Sequence, residues 1–123
     1  MSRPAFSLVG RLRSFGYAFS GLWFVLRTQH NAWLHVIATL SVVGLAAVFR
    51  VNREDWLWLV VAIALVWIAE VINTAFEHLC DVVSPELHQS VQKAKDVAAA
   101  AVLIAAAAAV IIGGIVFWPY LTR

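Results

Sequence analysis

Charge is scarce in this chain of 123 residues. Asp, Glu, Lys and Arg together make up 13% of it, against 63% hydrophobic residues. A soluble domain of this length must cover itself with far more polar surface, so the balance excludes one. Cysteine is nearly absent. The single Cys80 excludes an internal disulfide, and with no histidine cluster beside it there is no zinc site to consider. No G-x-x-x-x-G-K-[ST] sequence and no kinase-type glycine loop occurs, which excludes the common soluble nucleotide-binding folds. The net charge of +2 rests on scattered basic residues, so no nucleic-acid partner is expected. Arg3, Arg11 and Arg13 are not followed by an apolar core ending in a small-residue cleavage site, so no removed signal peptide is expected.

What is present is oil. A mean hydropathy of +0.84 places the chain among all-α integral membrane proteins, as one domain over residues 1–123. Residues 1–5 read as a frayed end. From Leu8 the apolar residues fall at Leu8, Leu12, Phe15, Phe19, Leu22 and Leu26, the spacing of an amphipathic helix over 6–29. Arg13, Ser20 and Arg27 flank that stripe at regular intervals. Such a helix can lie on a bilayer, arginines toward anionic head groups, or pack on protein, and both can hold together. Thr28-Gln29-His30-Asn31 is a polar break. Three spans follow, predicted at 32–49, 56–80 with a cytoplasmic extension, and 97–118. Arg50 to Asp55 forms a charged hairpin in which Asn52 is a candidate helix cap for the next element. Trp56 and Trp58 mark an interface. Proline in Ser84-Pro85-Glu86-Leu87-His88 is expected to end the second helix, and the polar segment 89–96 leads to the third. Trp118 and Tyr120 form a terminal aromatic belt, with Pro119 stopping the helix. His35 lies at interface depth, where a histidine calls for no special role.

Three spans place the N-terminal region and the 78–96 loop on one side with Arg3, Arg11, Arg13, Arg27, Lys93 and Lys95. The other side holds Arg50, Arg53 and Arg123. The positive-inside rule makes the first side cytoplasmic.

The informative stretch closes the second span. Glu70, Asn73, Glu77 and Asp81 fall within an arc of about 80° on a helix turning 100° per residue. Ionisable residues in such a setting are costly and mark function; the plain alternative is a polar helix end leaving the bilayer. Lys95 and Asp96 fall on the same side of the membrane. Hard oxygen ligands such as Glu77 suit Mg²⁺ with substrate phosphates in its shell, and a lysine suits the charge on a transferring phosphoryl group. A deeper carboxylate such as Glu70 suits proton removal from a hydroxyl at the interface. Phosphoryl transfer needs mainly positioning and charge neutralisation. The competing classes are a non-enzymatic membrane protein, such as a scaffold or channel subunit, and a transporter with a proton relay on Glu70.

The pattern Glu70-x-x-Asn73-Thr74-Ala75-x-Glu77-x-x-x-Asp81, followed by Lys93-Ala94-Lys95-Asp96-x-Ala98-Ala99-Ala100-Ala101-Val102, resembles the prokaryotic diacylglycerol kinase family, which includes undecaprenol kinases. Tyr17-x-x-x-Gly21 and Asn31-x-x-x-His35 add to the likeness, which covers residues 10–118. The resemblance implies a homotrimer of three-span protomers in the bacterial inner membrane, with composite sites between protomers that face the cytoplasm. It implies transfer of the γ-phosphate of ATP, with Mg²⁺, to the hydroxyl of diacylglycerol, giving phosphatidic acid, or alternatively of undecaprenol. It implies no protein partner beyond copies of the chain. By resemblance Glu70 is the general base, Asn73 and Lys95 share in catalysis, and Glu77 binds the metal. Tyr17, Arg13, Asp81, Lys95 and Asp96 handle nucleotide and phosphate. Gln29 stands where the family often has a metal-binding glutamate. It is either an uncharged, weaker ligand or an ordinary polar residue at a helix break.

Overall fold

The computed structural model describes residues 5–84, 86 and 88–123, and everything described is helix or short connection. Four helices follow one another: α1 (Leu8–Thr28), α2 (His30–Phe49), α3 (Arg53–Val83) and α4 (Gln89–Leu121). Of these, α2, α3 and α4 are long and apolar enough to cross a membrane. Of the frayed end expected at residues 1–5, all but residue 5 lie outside the described residues, as does the helix stop expected at Pro85.

Local chemistry sets the helix ends. The Ser7 hydroxyl accepts from the Gly10 amide to open α1, and Arg27 sits in its last turn, where a cation suits the carbonyl end. The break before α2 is a single extended residue, Gln29, with φ −109° and ψ 116°. It is shorter than the four polar residues 28–31 lead one to expect, because Thr28 and His30 continue the helices on either side. Arg50 ends α2 in the left-handed region, φ 51°. The Val51 amide then reaches back to the Ala46 carbonyl at 3.1 Å, the closing bond of a Schellman turn. Asn52 caps α3 through the Asp55 amide at 2.8 Å.

The polar segment 89–96 that leads into the third span is itself helical and makes the first turns of α4, opened by His88, whose ring nitrogen accepts from the Ser90 amide. One expectation is revised: Pro119 does not stop α4, which runs on to Leu121. A proline this close to a helix end leaves only one carbonyl without its donor, and Thr122 still bonds to Trp118 at 3.2 Å.

The helices α3 and α4 pair along much of their length, and α2 packs mainly on α3. At the hairpin end Ala46, Val51, Leu59 and Val116 form the core, ringed by Phe49, Trp56, Phe117 and Tyr120. Tyr120 is drawn inward rather than serving only as a belt. Its hydroxyl donates to Asp55 at 2.8 Å and accepts from the Asn52 amide at 3.2 Å. Elsewhere the apolar surface is bare. Only 28% of the most apolar window of α3, and 11% of that of α4, is buried within the protomer, so lipid or other protein must cover the rest. At 1.5 Å per residue, α3 and α4 are about 46 and 50 Å long, against a hydrocarbon core of about 30 Å. The surplus carries the polar end of each helix into water, and the candidate site is built there.

Candidate phosphoryl-transfer site

The acidic stripe of α3 is graded by depth. Glu70 is 1% exposed and Asn73 is 8% exposed. Glu77 is half-buried and Asp81 is exposed. One helix face therefore runs from the apolar interior to water in three turns, as helical periodicity requires of residues spaced 3, 4 and 4 apart.

Each member has a distinct partner. The Glu70 carboxylate meets the His35 imidazole of α2, Oε2 to Nε2 at 3.1 Å. With Glu70 as a carboxylate, which only accepts, this contact takes the imidazole tautomer that has its hydrogen on Nε2. The Thr74 hydroxyl donates to the Glu70 carbonyl at 2.9 Å, which seals the backbone beneath it. The Asn73 amide donates to Glu77 Oε1 at 3.4 Å. Among the described residues that leaves Asn73 Oδ1 buried without a partner. An unpaired buried acceptor is costly, and this one belongs to the amide whose Nδ2 meets Glu77. Lys95 of α4 donates to Asp81 Oδ1 across the α3–α4 interface.

A divalent ion fits this donor set in part. Among the described residues no three His, Cys, Asp or Glu side chains converge, so the protein offers no closed cage. Mg²⁺ does not demand one, since it keeps waters and substrate phosphates and uses one or two carboxylates. Glu77 and the orphaned Asn73 Oδ1 supply oxygen ligands of that kind.

The structure separates the remaining candidates. Asp96 is held by Gln92 on its own helix at 3.0 Å and does not join the Lys95–Asp81 pair; one residue along a helix turns the side chain by about 100°. Arg13 and Tyr17 lie on α1, exposed, and among the described residues neither bonds to the stripe. Gln29 is half-buried between α1 and α2, with no side-chain capping bond. The C-terminal part of α1 does reach α3. Phe24 packs edge-on against His78, ring centres 5.1 Å apart, one residue beyond Glu77. The amphipathic stripe of α1 from Leu8 to Phe19 stays exposed, and the face packed on protein is Phe24 and Val25.

Sequence reasoning missed His35. Its partner lies 35 residues away on another helix, beyond any periodicity within one segment. Only the Asn31-x-x-x-His35 spacing marked it.

A family model described as prokaryotic diacylglycerol kinase matches residues 16–117. An undecaprenol kinase of Bacillus subtilis is 32% identical over 109 residues, covering 89% of both chains. A diacylglycerol kinase of Synechocystis is 38% identical over 111 residues, covering 89% of this chain and 63% of that one. The family match covers α2, α3 and α4 as far as residue 117, and the whole acidic stripe.

Proposed function

This chain belongs to the prokaryotic diacylglycerol kinase family and is a multi-pass bacterial membrane lipid kinase; on that premise we propose that it transfers the γ-phosphoryl group of ATP to the primary hydroxyl of diacylglycerol, at the cytoplasmic face of the inner membrane. The observation that carries this reading is the graded stripe, a buried Glu70 followed along α3 by a half-buried Glu77 and an exposed Asp81. A lipid alcohol arrives from the membrane and a nucleotide from water, and the stripe spans the two.

Glu70 is the base. It accepts the hydroxyl proton as the lipid oxygen bonds to the γ-phosphorus. The bond from that phosphorus to the β–γ bridging oxygen breaks, and its electron pair leaves with ADP. The proton passes from Glu70 to water afterwards. Lys95, held at the α3–α4 interface by Asp81, places a positive charge over the phosphates. Glu77 and Asn73 Oδ1 would hold Mg²⁺. That ion neutralises phosphate charge when bound. Arg13, Tyr17, Asp96 and Gln29 lie off the stripe of their own protomer. They complete the nucleotide site in a homotrimer, in which the bare faces of α2 and α4 meet a neighbouring copy.

A second acceptor, undecaprenol, is favoured by the Bacillus relative, which is covered as fully as this chain is. It too presents a primary hydroxyl. The deciding experiment supplies the purified protein, in bilayers, with γ-labelled ATP and each lipid separately. Label in phosphatidic acid supports diacylglycerol, label in undecaprenyl phosphate replaces it, and label in neither removes both acceptors.

A further inference from the structure

We infer that His35 is the positioning residue of this site: its imidazole holds the Glu70 carboxylate in the orientation from which Oε1 takes the proton of the lipid hydroxyl. The inference rests on the reading of Glu70 as the base.

Four contacts carry it. Nε2 of His35 faces Glu70 Oε2 at 3.1 Å, which occupies one carboxylate oxygen and leaves Oε1 for substrate. The helix turn that carries His35 is held in turn, through its backbone and through Trp67. The Thr39 hydroxyl donates to the His35 carbonyl at 2.7 Å, and Trp67 Nε1 donates to that same hydroxyl at 3.0 Å. The Trp67 ring meets the His35 ring edge-on, centres 5.9 Å apart. Trp67 stands one helical turn from Glu70, so α2 is tied to α3 at two neighbouring points, His35 to Glu70 and Thr39 to Trp67. Polar contacts between otherwise apolar helices are costly to bury and are therefore informative. The role follows from geometry. A glutamate has three rotatable bonds, and a base must sit within hydrogen-bond reach of the proton it removes. With one oxygen tethered, the other is presented in one direction.

The alternative is that His35 only satisfies a buried carboxylate and so holds the fold. Alanine would not separate the two, because His35 also walls a cavity of about 80 Å³ with Ala38, Leu59 and Gly113, and truncation would enlarge a void. The informative changes are His35→Phe, which keeps a ring against Trp67 and deletes the donor, and His35→Gln, which restores a donor of similar reach. Full-length protein in bilayers is assayed with a short-chain diacylglycerol and with a short polyprenol, alongside Glu70→Gln and the double variant His35→Phe/Glu70→Gln.

The expected result for His35→Phe is a kcat lower by about 30- to 100-fold, with the KM for MgATP within about twofold of the parent. His35→Gln should stay within about fivefold of the parent, and the double variant should be no slower than Glu70→Gln alone, since both changes disable one unit. If Glu70→Gln collapses while His35→Phe keeps its kcat, or if the two losses multiply, the positioning role is overturned and the base remains. If Glu70→Gln itself turns over within a few-fold of the parent, the reading of the base fails. Should His35→Phe not assemble, His35→Asn decides: it has a donor too short to reach Glu70, and a kcat equal to the parent's overturns the proposal.

Discussion

Lys95 of α4 and Asp81 of α3 are joined by a direct hydrogen-bonded ion pair where both helices leave the membrane. The two side chains are 27% and 62% exposed. An exposed pair of this kind contributes little to stability, because water screens it and two long side chains must be ordered. Its value is therefore positional, since it aims an ammonium group along the face that carries Glu77.

Lys95→Ala should separate these roles. Removing a charge-stabilising group from a transition state typically costs about 10²–10³ in kcat. The thermal midpoint should stay nearly unchanged, because little stability resides in the pair. Lys95→Arg keeps the charge on a different geometry and should retain part of the rate. A Lys95→Ala protein with full turnover and a lowered midpoint would make the pair a structural clasp.

Metal dependence should report on Glu77 and Gln29 separately. Glu77→Ala removes the carboxylate beside the orphaned Asn73 Oδ1 and should raise sharply the Mg²⁺ concentration for half-maximal rate. Gln29→Glu adds an anionic oxygen where the chain has a neutral one and should lower that concentration. An unchanged Mg²⁺ titration for Gln29→Glu would place the ligands elsewhere.

Orientation can be read directly. In a Cys80→Ala background, single cysteines at Ala5 and Glu54, both exposed, report on opposite ends of the spans without altering the basic residues that set topology. An impermeant maleimide applied to intact cells should label the Glu54→Cys protein and spare the Ala5→Cys protein. The reverse pattern would invert the proposed topology and put the stripe outside.

The periodic parts of this molecule were legible from sequence. Apolar runs gave three spanning helices, the Asn52 side chain gave a cap, and the 3–4–4 spacing put Glu70, Asn73, Glu77 and Asp81 on one face, because each signal lies within one segment. What was not legible depends on two segments meeting. His35 read as an unremarkable interfacial residue until α2 brought it to Glu70. Residues 89–96 read as a polar segment leading into the third span, and nothing within that segment shows that Lys95 has its partner on α3. Pro119 read as a stop because its effect on preceding residues is strong, whereas near a helix end there is little left to break.

Tyr120 offers a test of how far the hairpin end and the candidate site are independent. Its hydroxyl bonds both to Asp55 and to the Asn52 amide, and its ring stacks on Phe49 with centres 6.1 Å apart. Asn52 and Asp55 are the cap and first turn of α3, so the hydroxyl ties the end of α4 to the start of α3. Tyr120→Phe keeps the ring and removes both bonds. Two hydrogen bonds, one to a carboxylate, are worth about 2–4 kcal/mol together, so the thermal midpoint should fall measurably. Catalysis should not. Tyr120 sits near the end of α4 opposite Lys95, 25 residues away, or about 37 Å along the helix. Measured below its own melting range, kcat should stay within about twofold of the parent, as distant, unconnected changes add independently. A large loss of kcat without a shift in midpoint would show that the hairpin end and the acidic stripe are coupled through α3. The site would then have to be treated as one with the whole helix rather than as its cytoplasmic end.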